Sequence, residues 1–289
     1  MKEYEGEKEN KYSRRAFLSV AAGAAIGTAL PSGLSAGEQS TQMTLQVWSC
    51  GGLAEAFIPA NEVFKEETGV DIAYTGAFAA ALGKSLLGSA STEIFAGRVL
   101  ALAKKLRKAG KMVSFKPLCF TSYVLVTPKG NPAGITKIQD IAKPGIKVIL
   151  SPEASAPGGG AVTLLLKNAG VAEKAMENCV IKSSCVQRAM EDLVDGKGEV
   201  SVVEKRLTRM PLFKDKSEII PIPEKFFPPP PLTFTIGIMK HAKDPKLAAH
   251  YIDFIRSDKG QSFFLKAGFI PAISDKGREM AEKLGVKDV

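Results

Sequence analysis

Between residues 44 and 76 the chain alternates between the two periodicities that a sheet with crossover helices requires. TLQVWSC (44–50) alternates apolar and polar residues and reads as a strand. LAEAFIPANEVFKEETG (53–69) places Leu53, Phe57, Ile58, Val63 and Phe64 at intervals of three to four, an amphipathic helix ending at Gly69. VDIAYTG (70–76) is a second strand and FAAALGKSLLG (78–88) a second helix. Strand, helix, strand, helix in that order calls for a parallel sheet with helices on its faces, an α/β class.

The pattern continues through TEIFAG (92–97), a helix with a basic face around AKKLRKAGK (103–111), and SYVLVTPKGNP (122–132). A second β/α series runs through IKVILSP (146–152), AVTLLLKNAG (161–170), NCVIKS (178–183), CVQRAMEDLVDGKG (185–198) and EVSVVEK (199–205). Two breaks frame it. SFKPLCF (114–120) separates the two series, and the four prolines 228–231 read as a stiff extended connector. FTIGIMK and the helices of DPKLAAHYIDFIRSDKGQSFFLKAG (244–268) follow. The expectation is two Rossmann-like lobes joined by a two-segment hinge. Lobe one spans 42–119 plus 232–289, and lobe two spans 120–231.

The N-terminus has its own logic. KYSRRAFLSVAAGAAIGTALPSGLSAGE (11–38) carries Arg14 and Arg15, a mildly apolar Ala/Gly run and a small-residue site near Ala36. This is the pattern of a twin-arginine export signal over residues 1–36. Pro31 cuts the run short of a membrane span. The leader holds five basic and four acidic residues, so its removal takes the net charge from +9 to +8. Folding before export would keep thiols reduced while the chain folds. The expected location is the periplasm.

Several chemistries are disfavoured. The basic residues are dispersed, and the densest cluster (103–111) has helical spacing, so nucleic acid is not an expected partner. TGAFAAALGKS (75–85) lacks the first phosphate-loop glycine, since Phe78 stands in its place. GLSAG (33–37) matches a nucleophile elbow but lies at the expected cleavage site with no strand before it. His241 and His250 have neither metal-pair spacing nor a triad setting, and no carboxylate pair stands out. Neither enzymatic activity nor a cofactor is expected.

WSCGG (48–52) ends the first strand with one of only four cysteines. A lipid anchor, a buried thiol and a ligand-binding turn compete. The anchor is weak because Cys50 lies far beyond the apolar run and Trp48 is bulky.

LVTPKGNPAGITKIQDIAKPGIKVILSPEASAPGGGAVTLLLKNAGV (125–171) resembles the middle of the periplasmic molybdate- and tungstate-binding proteins, solute receptors of ABC importers with the type II binding-protein fold. FKEETGVDI (64–72), GKGEVSVV (196–203) and DPKLAAHYIDFIRSDKGQSFFLKAGFIPA (244–272) fit the same pattern in the same order. The resemblance implies a monomeric receptor that closes on a small inorganic ligand, most readily an oxyanion, and delivers it to a membrane permease.

It also implies a site. Loop one is Ser49, Cys50, Gly51 and Gly52, with Gly52 where the family carries a serine. Loop two is Thr75, Gly76, Ala77 and Phe78, with Ala77 and Phe78 where the family has two serines. Loop three contains Ser155 and Ala156, and a lobe-two loop contains Ser184 and Cys185. Glu204 stands in place of a family tyrosine, where it would repel a dianion unless protonated or paired with Arg98 or Arg206. Ser49, Thr75, Ser155 and Ser184 remain as hydroxyl donors. A second reading makes the chain an exported transition-metal-binding or redox accessory protein, with Cys50, Cys185 and Glu204 as ligands. A disulfide joining Cys50 to Cys185, or simple packing of both thiols, stays open; Cys119 and Cys179 are expected in the core.

Overall fold

The computed structural model describes residues 43–154, 158–227 and 233–287. The leader, the four prolines and the loop residues 155–157 lie outside them.

The chain opens with β1 (Thr44–Cys50), α1 (Ala54–Thr68), β2 (Asp71–Ala77), α2 (Ala79–Leu87), β3 (Ile94–Arg98), α3 (Leu100–Lys108) and β4 (Met112–Phe120). It then enters a second sheet with β5 (Tyr123–Pro128), β6 (Val148–Leu150), α4 (Gly158–Asn168), α5 (Ala172–Glu177), β7 (Cys179–Lys182), α6 (Val186–Val194), β8 (Val200–Glu204) and β9 (Ser217–Pro221). It returns through β10 (Thr233–Met239), α7 (Pro245–Arg256), α8 (Asp258–Lys266), β11 (Ile270–Pro271) and α9 (Asp275–Lys283). Sheet one has the order β11-β4-β10-β3-β1-β2, and sheet two the order β7-β6-β8-β5-β9. This is the two-sheet α/β architecture expected from the alternating pattern.

The sheets are mixed rather than parallel throughout. β1 runs parallel to β2 and β3, as crossover helices α1 and α2 dictate. β10, arriving from the second sheet, inserts antiparallel between β3 and β4. In sheet two, β5 is antiparallel to β8 and β9.

SFKPLCF is a strand, not a break. It forms most of β4, and Pro117 sits opposite Thr235 where the ladder shifts register between Phe234 and Thr235. A proline lacks the N–H that a regular ladder needs, and the irregularity accommodates it. β9 and α9 also went unanticipated by the apolar pattern.

Two aromatic-rich cores set the wall positions. Between α1, α7, α8 and sheet one, Phe64 meets Tyr251 edge-on at 5.1 Å and Phe57 meets Phe264 at 5.3 Å. Each such buried side chain stabilises the fold by about 1.5–3 kcal/mol. Under sheet two, Leu125, Leu150, Leu165 and Val202 pack with Phe120 and with Met280 and Val286 from the C-terminal segment. Cys119 is fully buried, whereas Cys179, on edge strand β7, is only partly so. His241 and His250 are exposed. No helix among the described residues is long and apolar enough to cross a membrane.

Candidate functional site

The carboxyl ends of β1, β2, β3 and β8 converge on one cleft of about 560 Å³. That is the usual binding position in open α/β sheets, because the loops leaving these strands lead into helix N-termini. Four helices begin at the edge of the cleft, two after β1 and β2 and two after β6 and β7. α1 follows the 3₁₀ turn Gly51–Leu53, α2 follows Phe78, α4 starts at Gly158, and α6 follows Cys185. Their first N–H groups have no partners within the helix and favour an anion.

The floor of the cleft is charged. Glu204, at the end of β8, is 1% exposed and lies between two arginines. Its Oε1 accepts from Arg98 Nη1 at 2.7 Å and its Oε2 from Arg206 Nε at 2.8 Å. Burial alone would raise the Glu204 pKa, but the two guanidiniums outweigh it and hold the carboxyl at about 2. Arg98 also donates from Nη2 to the Tyr123 hydroxyl at 3.2 Å, and its guanidinium lies 5.4 Å from the Phe234 ring centroid. The repulsion expected of a lone Glu204 is therefore absent. Two cations around one anion make the floor itself positive, and Glu55, in the first turn of α1, brings the formal charge of the cleft lining to zero. Val99, directly after Arg98, has φ +74°, a strained backbone for a β-branched residue at the point where β3 turns into α3.

The other expected residues divide into two groups. Cys50, Gly51, Gly52, Gly76, Ala77, Phe78, Cys185 and Glu204 all line the cleft. Ser49, Thr75 and Ser184 do not. Ser49 is fully buried on the opposite face of β1 from Cys50, and its hydroxyl shares a 2.5 Å hydrogen bond with the Tyr74 hydroxyl. Burial pushes the Tyr74 phenol up to about 12. Thr75 and Ser184 are exposed away from the cleft. Ser155 and Ala156 lie outside the described residues.

The thiols do not form a metal centre. Among the described residues no three His, Cys, Asp or Glu side chains are gathered closely enough to hold a metal ion. Both Glu204 oxygens are already engaged by arginines. All four cysteines are unbridged, so the disulfide across the cleft is not formed. Burial raises the Cys50 pKa above its ordinary value. Cys185 is exposed and caps α6, its Sγ accepting from the Arg188 N–H at 3.3 Å.

Two cleft residues were legible in the sequence only as partners for Glu204. Arg98 ends β3 and Arg206 follows β8 by two residues, and both line the cleft. Gly52 and Arg206 face each other across it: a Cβ at residue 52 would lie 3.0 Å from Arg206 Cζ.

Comparisons with known proteins agree with this geometry. A family model described as bacterial extracellular solute-binding protein matches residues 45–270. The molybdate-binding protein ModA of Mycobacterium tuberculosis is 24% identical over 260 residues, covering 87% of this chain and 94% of that protein. The substrate-binding domain of a putative molybdenum ABC transporter from Clostridium difficile superimposes with a TM-score of 0.70 at 20% identity, over 79% of this chain and 99% of that one. The periplasmic molybdate-binding protein of Azotobacter vinelandii gives a TM-score of 0.64 at 17% identity, over 78% and 98%.

Proposed function

The chain belongs to the bacterial extracellular solute-binding protein family, and from that premise we propose that it is the periplasmic receptor of an ABC importer for a small oxyanion of the molybdate or tungstate kind. The observation that carries this reading is the Arg98–Glu204–Arg206 floor, with guanidinium donors left over after Glu204 is paired, beneath four helix N-termini. Backbone N–H groups and a guanidinium together supply the donors that an oxyanion needs. Glycines at 51, 52 and 76 let the backbone approach the ligand closely. The relatives named for molybdate favour the same ligand class.

In this reading residues 1–36 direct export through the twin-arginine machinery, and the mature receptor works as a monomer that presents its loaded form to an inner-membrane permease. Lobes 42–119 plus 232–289 and 120–231 close on the ligand about the two crossing segments. Binding and release, without turnover, are its work.

Isothermal titration of the purified chain with molybdate, tungstate, sulfate, phosphate, zinc, nickel and copper(I) tests this. Saturable binding of one or more of the oxyanions is expected. Binding of a metal ion alone, abolished by Cys50→Ser, would replace the reading with metal capture.

A further inference from the structure

The two arginines of the cleft floor are not equivalent. Arg98 is consumed by the protein: both of its Nη groups bond to side chains, its face lies on Phe234, and its side chain is 7% exposed. Among the described residues Arg206 is hydrogen-bonded through Nε. Among the described residues its two Nη nitrogens carry no hydrogen bond, and its side chain is 14% exposed to the cleft. It comes from the sheet-two side, yet its guanidinium lies where a side chain on residue 52 of the sheet-one side would be. A Cβ there would stand 3.0 Å from Cζ, 3.1 Å from Nε and 3.2 Å from Nη2. Gly52 is itself the second residue of the turn that opens α1, and its N–H donates to the Cys50 thiol.

We propose that Arg206 is the side chain that grips the ligand, and that Gly52 is kept bare to seat its guanidinium beside the N-terminus of α1. The inference rests on the cleft being an anion receptor and adds which charge does the binding and from which wall. Glu204 orients the fork by holding Nε, which leaves the Nη edge for two oxygens of the anion. Recognition then uses a charged, planar donor pair from sheet two against backbone donors from sheet one. The ligand class that fits is an anion presenting two oxygens on one face, as tetrahedral oxyanions do.

The test is a mutant cycle read in affinity. The purified chain, Arg206→Gln, Arg206→Lys, Gly52→Ala and the Gly52→Ala/Arg206→Gln double variant are titrated with whichever of molybdate, tungstate, sulfate and phosphate the unaltered chain binds tightest. Arg206→Gln is expected to raise Kd about ten- to hundredfold, the loss of charge-assisted hydrogen bonds. Arg206→Lys, which keeps the charge without the fork, should fall between. Gly52→Ala is expected to raise Kd by about tenfold alone, by displacing the guanidinium, and by less than twofold in the Arg206→Gln background. Far-UV circular dichroism and melting of each variant confirm that it is folded.

A guanidinium serving only as counter-ion to Glu204 would shift the melting temperature and leave Kd unchanged. An Arg206→Gln Kd within twofold of the unaltered chain, or effects of the two substitutions that simply multiply, overturns the assignment while the receptor reading stands. An unaltered chain that binds none of the four anions overturns both.

Discussion

The wall that sheet one gives to the cleft is mostly small residues with one carboxylate, Glu55 at the start of α1, whereas the wall from sheet two carries the Glu204–Arg206 pair. Cys50, Gly51, Gly52, Gly76 and Ala77 offer a ligand mainly backbone, with Phe78 at the rim. Glu204 and Arg206 on the other side offer an ion pair with donors to spare. Arg98 alone crosses from sheet one, and it crosses to neutralise Glu204 rather than to face the ligand. The contrast puts the side-chain donors of the cleft on one wall and mainly backbone on the other. The Arg206 guanidinium from the opposite wall lies against Gly52.

Breaking the cross-cleft pair gives the largest expected effect. Arg98→Met leaves the buried Glu204 with one partner and should cost about 3–5 kcal/mol in urea unfolding, as removal of one member of a buried pair does. A loss under about 1 kcal/mol would mean that the floor is solvated and the comparison of walls is misdrawn.

Acid probes the same carboxylate. The folded pKa of Glu204 is depressed from 4.5 to about 2, so its contribution is complete above 4.5 and is lost as the pH falls from there towards 2. The loss amounts to about 3 kcal/mol. Glu204→Gln should flatten that part of the stability profile, and an unchanged acid limb in the variant would contradict the assignment.

Adjacent glycines at the start of α4 sharpen the picture of the sheet-two wall. A Cβ at Gly159 would meet the Pro152 carbonyl oxygen at 2.2 Å, whereas one at Gly160 meets open space. Gly159→Ala should destabilise by about 1–3 kcal/mol, and Gly160→Ala should stabilise by up to about 1 kcal/mol. Equal effects in thermal melts would show that α4 does not pack on the 151–152 turn.

The smallest effect belongs to the sheet-one wall. Ser49→Ala removes the Tyr74 hydrogen bond and should cost about 1 kcal/mol with anion affinity unchanged, because that hydroxyl faces away from the cleft. A weakened Kd would return Ser49 to the site.

How much of this was legible depended on whether the signal was local. β1 was read with its observed bounds, and α1 within one residue at each end, because alternating and three-to-four spacing are local patterns. β4 was missed because Pro117 and a run buried on both faces, Leu118 to Phe120, obscured its period. The cleft residues at element ends, Cys50 to Gly52 and Gly76 to Phe78, came from the family resemblance, and they line the cleft because they stand at the carboxyl ends of β1 and β2. Ser49 was misplaced by one residue's worth of pleat, since neighbours on a strand point to opposite faces. The role of Arg206 rests on a contact with Gly52, distant in sequence, which no local pattern encodes.

The most direct measurement is a crystal structure of the chain soaked with tungstate, located by its anomalous scattering. The account predicts one strong peak in the cleft, with oxygens within hydrogen-bond distance of Arg206 Nη and of the backbone N–H groups that open α1. A cleft left empty at saturating tungstate, or a peak on the outer surface, would contradict it.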